Sequence, residues 1–283
     1  MTTKTVPTRP PPRPVAASPP PPIGKPSAEP KGVRITLVGV EGIGKTSIAA
    51  YGADTLMLIT PDELGYLTLY QRGLVPECDV AQPRSWPDVL ALIESVAQQP
   101  GRYKTLGIDA MAGLESLCAW HVCQTEFNGN WGEKGFRAWN HGPAIVARTW
   151  PAILPRLTAC SRAGLDVILL GHARVKNFKN PDGPDYDRYE CNTGNDDVWA
   201  RTKMWAEACL FLNFRPIIDL ARPEANAARA HGKAIGQQRV MRCQYSAVTD
   251  AKNQLGLDPE YEMPDSPAEC AAAFWNLIKG KTT

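Results

Sequence analysis

The sequence predicts an α/β fold in which helices cover a mainly parallel sheet. Three observations predict it. Beyond residue 30, short apolar runs of strand length alternate with stretches of helical period. Residues 39 to 46 read Gly-Val-Glu-Gly-Ile-Gly-Lys-Thr, a complete G-x-x-x-x-G-K-T motif between the first apolar run and the first helical stretch. Asp109 closes a later apolar run, where a second nucleotide motif would carry its carboxylate.

The elements follow in order. Residues 33 to 38 form the first strand, and residues 45 to 51 start the helix after the glycine-rich loop. Residues 55 to 60 are a short apolar strand ending at Pro61. Residues 87 to 97 read as a helix, with Pro87 in its first turn and Leu90, Ile93 and Ala97 along one stripe. A strand over 104 to 109 precedes a helical stretch at 114 to 123. The segment 139 to 160 is helical in period but must be started, kinked or divided by Pro143, Pro151 and Pro155. Residues 165 to 170 are the next buried strand. Residues 173 to 196, polar and rich in Gly, Pro, Asn and Asp, read as a long functional or disordered connection. Strands at 208 to 214 and 239 to 245, the second antiparallel or at an edge, lead to a closing helix at 267 to 278, where Cys270, Phe274, Leu277 and Ile278 recur at helical spacing.

Length and composition set the limits. With 283 residues and 43% hydrophobic composition, residues 31 to 283 suffice for one core. Residues 1 to 30 hold eleven prolines and no apolar period, the composition of an extended, disordered tail serving as linker or as ligand for an aromatic groove. That tail carries Lys4, Arg9, Arg13 and Lys25 against Glu29, so with +2 on the whole chain the remainder is nearly neutral. A nucleic-acid site would therefore have to be a local patch. Eight dispersed cysteines, with no signal peptide and no apolar 18-mer, point to a reducing cytoplasm and no membrane. Cys118-x-x-His121-x-Cys123 lacks a second close pair to complete four ligands and reads as packed cysteines.

The chemistry centres on the glycine-rich loop. Backbone N–H groups from Gly39, Val40, Glu41, Gly42, Ile43 and Gly44 through Ser47 can wrap a β-phosphate, with Lys45 reaching the β/γ-phosphate oxygens. Thr46 offers a hydroxyl to Mg²⁺, and Asp109 could hold a water of that ion or simply cap the following helix. Together these residues imply bound ATP·Mg²⁺. Glu63, beyond the second strand, could orient or deprotonate an attacking water; Asp62 and Glu41 are rivals, and an acidic turn is the plain alternative. His172, after the apolar run 167 to 170, would emerge at the same edge as a γ-phosphate sensor or as a structural histidine. Arg174, Lys176, Phe178 and Lys179 offer cations and one stacking ring for single-stranded nucleic acid, extended by Arg201 and Lys203 if their helix faces the same side. The carboxylates Asp182, Asp185, Asp187 and Glu190 offset that charge. Lys252 could reach a neighbour's triphosphate in an oligomer or cap local structure.

Across residues 31 to 260 these positions resemble the RecA-like core ATPases, particularly the compact phage-encoded group associated with single-strand annealing and recombination. Gly39 to Thr46 matches the first nucleotide motif and Leu106-Gly107-Ile108-Asp109 the second. Glu63 matches the catalytic glutamate, and His172 stands where many relatives use glutamine. Residues 173 to 196 fall where those proteins carry a mobile DNA-binding loop. Lys252-Asn253-Gln254-Leu255-Gly256 is similar to the Lys-Asn-Arg-Phe-Gly motif of RadA-like relatives, with Gln254 and Leu255 as departures. The resemblance implies a DNA-stimulated ATP hydrolase forming a ring or filament on single-stranded DNA in a bacterial cytoplasm, with a single-strand-binding protein as a further partner. The alternatives are a helicase-loader or motor-type ATPase, or a nucleotide-gated protein scaffold; a small-molecule kinase shares the loop, but no acceptor or lid motif stands out.

Overall fold

A computed structural model describes residues 31–219 and 233–280. The expected proline-rich tail lies outside the described residues.

The chain runs β1 (Arg34–Gly39), α1 (Lys45–Ala50), β2 (Thr55–Ile59), α2 (Gly65–Gln71), β3 (Asp79–Ala81), α3 (Trp86–Ala97), β4 (Thr105–Asp109) and α4 (Met111–Phe127). It continues through α5 (His141–Thr149), α6 (Ile153–Arg162), β5 (Asp166–Phe178), β6 (Tyr186–Cys191), α7 (Asp196–Trp205), β7 (Ala208–Asp219), β8 (Lys233–Arg242), β9 (Lys252–Asn253), β10 (Glu260–Glu262) and α8 (Pro267–Gly280). The sheet order is β10-β8-β7-β1-β5-β4-β2-β3, parallel from β7 to β3 and antiparallel from β7 through β8 to β10. The strand before the phosphate loop and the strand ending in Asp109 are thus separated by β5 alone. This is the RecA-like P-loop α/β fold, a mainly parallel sheet flanked by helices.

The central parallel strands read as largely apolar runs because both faces of the sheet are covered there. Side chains alternate between faces along a strand, so Leu56 and Leu58 enter the core beneath α3 to α7, while Met57 and Ile59 enter the core beneath α1, α2 and α8. Helix α3 starts where Ser85 accepts a hydrogen bond from the Asp88 backbone at 3.2 Å. Its buried stripe is Trp86, Val89, Ile93 and Val96; Leu90 and Ala97 flank it half-buried. Trp86 stacks on Trp150 with centroids 5.6 Å apart, and Trp150 Nε1 donates to Thr202 Oγ1 at 2.9 Å, tying α3 to α7 through the core. Cys118 and Cys123 pack in that core. The prolines divide residues 138 to 162 into two 3-10 turns and two α-helices, and Trp139 and Asn140 adopt left-handed angles ahead of α5.

The connection expected at 173 to 196 is instead ordered. Strand β5 runs on past His172 and pairs antiparallel with β6 from Ala173↔Cys191 to Phe178↔Tyr186. The polar segment escapes a period-based reading because its outer part, residues 175 to 178 with 186 and 187, alternates between exposed and half-buried positions with no apolar face, and only Glu190 and Cys191 of β6 are buried. Among the described residues no helix is long and apolar enough to cross a membrane.

Candidate functional site

The site forms where β1, β5, β4 and β2 end together. Strand β1 leads into the phosphate loop through Gly39, where a Cβ would lie 2.7 Å from the Leu212 carbonyl oxygen. Gly42 and Gly44 then turn the chain at φ 72° and 98°, angles that side chains with a Cβ rarely adopt. Ile43 plugs the loop into the core beside Ile48, and Ser47 is buried in α1. Glu41 stays on the exposed rim, and Lys45 folds back inside. Its ammonium donates to the carbonyls of Gly39 and Val40, each at 2.9 Å, which holds a positive charge within the loop. Burial lowers the Lys45 pKa, an effect partly countered by the Asp109, Glu41 and Glu63 carboxylates.

Opposite Lys45, Thr46 Oγ1 donates to Asp109 Oδ2 at 2.8 Å. Because the hydroxyl proton goes to Asp109, the oxygen lone pairs of Thr46 remain available. A hydroxyl and a carboxylate side by side form the oxygen donor set that suits a hard divalent cation such as Mg²⁺. Burial pushes the Asp109 pKa up, the Thr46 bond and Lys45 pull it back, and Glu63 raises it further. Gly65 flanks the pair: a Cβ there would stand 3.5 Å from Thr46 Oγ1 and 3.9 Å from Asp109 Oδ2.

Parallel register brings the remaining groups to this edge. Gly39 pairs with His172 across β1 and β5, and Ile59 pairs with Asp109 across β2 and β4. Thr60 then staples the two strand ends: its N–H and Oγ1 donate to the Asp109 carbonyl at 2.7 and 3.1 Å, and Oγ1 accepts from Ala110 N at 3.0 Å. The turn that follows, with Asp62 left-handed at φ 70°, delivers Glu63 to within 3.5 Å of His172 Nε2. Asp62 itself is exposed. Sequence reasoning missed Thr60; the signal was a polar residue ending an otherwise apolar strand.

The cations expected to meet nucleic acid have partners of their own. Arg174 Nη2 donates to Asp196 Oδ1 at 2.8 Å and its Nη1 to the Thr193 carbonyl at 2.9 Å. Lys176 lies 2.5 Å from Asp196 and 3.7 Å from Glu190, and Lys179 lies 2.5 Å from Asp185. Phe178 is covered by Tyr186 at 5.1 Å and by the Arg188 guanidinium at 4.2 Å. Lys203 bonds Asp250, which also accepts from Trp199 Nε1 at 2.8 Å, whereas Arg201 is exposed on α7. Lys252 donates to the carbonyls of Lys203, Met204 and Ala206 at 3.0, 3.1 and 2.6 Å, closing the C-terminal end of α7.

A solved KaiC-like protein from the hyperthermophilic archaeon Pyrococcus horikoshii is similar at 14% identity and a TM-score of 0.41, covering 85% of this chain and 89% of its own. A comparison with curated proteins finds no match. The AAA-domain family profile matches residues 31–255, most of the chain, and the protein belongs to that family, with the ATP-binding phosphate loop it implies.

Proposed function

We propose that the protein is a motor- or scaffold-type ATPase that binds ATP at the shared strand edge and hydrolyses it there. The observation that carries this reading is the convergence of Lys45, Thr46, Asp109, Glu63 and His172 on one edge, tied by the Thr46–Asp109 bond at 2.8 Å and the His172–Glu63 approach at 3.5 Å. Lys45 and the loop N–H groups hold the phosphates. Thr46 and Asp109 would hold Mg²⁺, which supplies charge neutralisation of the β- and γ-phosphates. Glu63 orients a water and accepts its proton as the water oxygen bonds the γ-phosphorus and the bridging bond to ADP breaks. His172, held against Glu63, passes nucleotide state to the β5–β6 hairpin. Phosphate release measured for wild type and Lys45→Met tests the assignment: the variant should release none, and an unchanged rate would remove the loop from catalysis.

A second reading is single-strand DNA annealing or recombination by a homo-oligomeric ring or filament, with Lys252 contacting a neighbour's nucleotide. It draws on the position of the hairpin bearing Arg174, Lys176, Phe178 and Lys179 directly after His172. It ranks second because Arg174, Lys176 and Lys179 are neutralised by neighbouring carboxylates, which weakens their attraction for phosphates. ATPase rate with and without single-stranded DNA, with particle size on the same samples, separates the two. DNA stimulation accompanied by assembly would promote the second reading, and absence of both would favour the first.

A further inference from the structure

Behind the His172 strand, a cavity of about 360 Å³ opens between α4, α5 and the turn joining β6 to α7. Its walls include Ala119, Phe136 and Val146, and the one charged side chain among its lining residues is Glu115. Glu115 is only 8% exposed. Nothing in ATP hydrolysis uses it.

One oxygen of this carboxylate, Oε2, accepts from the Gly194 N–H at 2.7 Å. The nearest cation, Arg174, is spent on the Thr193 carbonyl and Asp196, and its Nε is buried without a partner. Burial pushes the Glu115 pKa up, while the N–H groups of Gly194 and Asn195 pull it down, so its negative charge is only partly compensated. Two further polar side chains on the walls are already engaged, Ser116 donating to the Ala112 carbonyl at 2.9 Å and Asn195 Nδ2 to the Pro143 carbonyl at 2.7 Å, and the Asn192 side chain is exposed. A buried carboxylate at an apolar cavity favours a ligand with a positive head and a short hydrocarbon stem. An anion would find no cation on these walls, and a neutral alcohol would leave the charge uncompensated.

The geometry points to a second ligand site here, taking an alkylammonium group with its head on Glu115 and its stem against Phe136 and Val146. A free aliphatic amine and the lysine side chain of a partner protein present the same chemistry. The site touches the catalytic edge through one bond, Asn192 N to the His172 carbonyl at 2.7 Å, and through α4, which starts directly after Asp109 and Ala110. That link to hydrolysis rests on the function proposed above; binding does not.

Butylammonium titrated into the full chain without nucleotide, followed by calorimetry and by Phe136 ring shifts in NMR, tests the site. Saturable one-to-one binding is expected, with 1-butanol at least tenfold weaker. Glu115→Gln keeps an acceptor for Gly194 and should melt near wild type, yet lose at least tenfold in affinity; Ala119→Phe should block entry without touching Glu115. Equal binding of butanol, undiminished binding to Glu115→Gln, or no saturable binding to wild type would overturn the proposal. N-acetyl-lysine methylamide distinguishes the sources: tighter binding than butylammonium assigns the site to a protein side chain, and weaker binding to a free amine. Binding repeated on Lys45→Met should be unchanged, so a failure of the ATPase reading stays distinguishable from a failure of this one. An unchanged wild-type phosphate-release rate at saturating amine would sever the link to His172.

Discussion

The Glu63 carboxylate, in the turn after β2, stands 3.5 Å from His172 Nε2 on β5, and these two strands flank β4, whose last residue is Asp109. Two carboxylates and an imidazole therefore share one edge, with Glu63 the proposed proton acceptor and Asp109 the proposed holder of Mg²⁺. Glu63→Gln preserves the shape of the acceptor but cannot take a proton. Phosphate release should fall by about 10²-fold or more while affinity for a fluorescent ATP analogue stays within a fewfold of wild type. A parallel loss of affinity would assign Glu63 to binding instead.

Lys45 is a buried cation that, on the proposed function, is kept at a cost to stability. Its folded pKa lies below 10.5 because it is buried. Between the folded and unfolded values the unfolded chain holds more protons, so stability rises with pH in that window; below the folded value the cost of the buried ammonium is present in full. The nucleotide-free Lys45→Met protein should therefore melt no lower than wild type at pH 7. It should also lose the stabilisation that ATP gives wild type, about 2.7 kcal/mol at a hundredfold excess over Kd. A calorimetric scan with and without ATP reads both.

Asp109 carries the opposite charge and the same logic. Its folded pKa is raised above 3.8, mainly by burial. Between 3.8 and the folded value the native state holds more protons, so stability falls as pH rises through that window, and the buried carboxylate remains a liability at neutral pH. Asp109→Asn, which still accepts from Thr46, should raise the apo melting temperature at pH 7 and flatten the acid limb of the stability profile. Mg²⁺-dependent stabilisation by ATP should disappear. A lower melting temperature in the variant would contradict the electrostatic account.

Gly113 on α4 sits where a Cβ would fall 2.0 Å from Thr60 Oγ1, the hydroxyl that staples Asp109 to β2. Gly113→Ala must displace Thr60 or α4, at about 1–3 kcal/mol. Hydrolysis should drop more than ATP affinity, since Glu63 follows Thr60 in the same turn. Urea unfolding paired with steady-state kinetics measures both effects.

Lys252→Met removes the cation that closes the end of α7 through three carbonyls. Thermal stability should fall by about 1–2 kcal/mol. A variant that lost turnover in assembled protein with no change in melting temperature would instead support a contact with a neighbouring nucleotide.

Much of this arrangement was legible in the chain. The strands at 55 to 60 and 104 to 109 are legible from the apolar runs at their centres, Leu56 to Ile59 and Leu106 to Ile108, because a sheet covered on both faces favours apolar side chains on either side. The glycine-rich loop was legible because left-handed backbone at Gly42 and Gly44 restricts the residue type there. Helix α2 and strand β3 were missed: α2 buries only Tyr66, and β3 is a three-residue edge strand with little apolar period. The β5–β6 hairpin reads as a long connection in the sequence because its order comes from strand pairing and from ion pairs such as Lys176–Asp196, which no local pattern encodes.

By itself, the sequence determined the phosphate loop, the alternation of elements and hence the RecA-like class, since each rests on local backbone geometry or on burial that a residue's own chemistry reports. Only the tertiary structure decided which carboxylate faces His172, that Thr60 joins two strand ends, and that Arg174, Lys176 and Lys203 are already paired with acids. Those facts depend on register and on contacts between residues far apart in the chain. Charge in particular can be counted along a sequence, but its effect is set by what folding brings beside it.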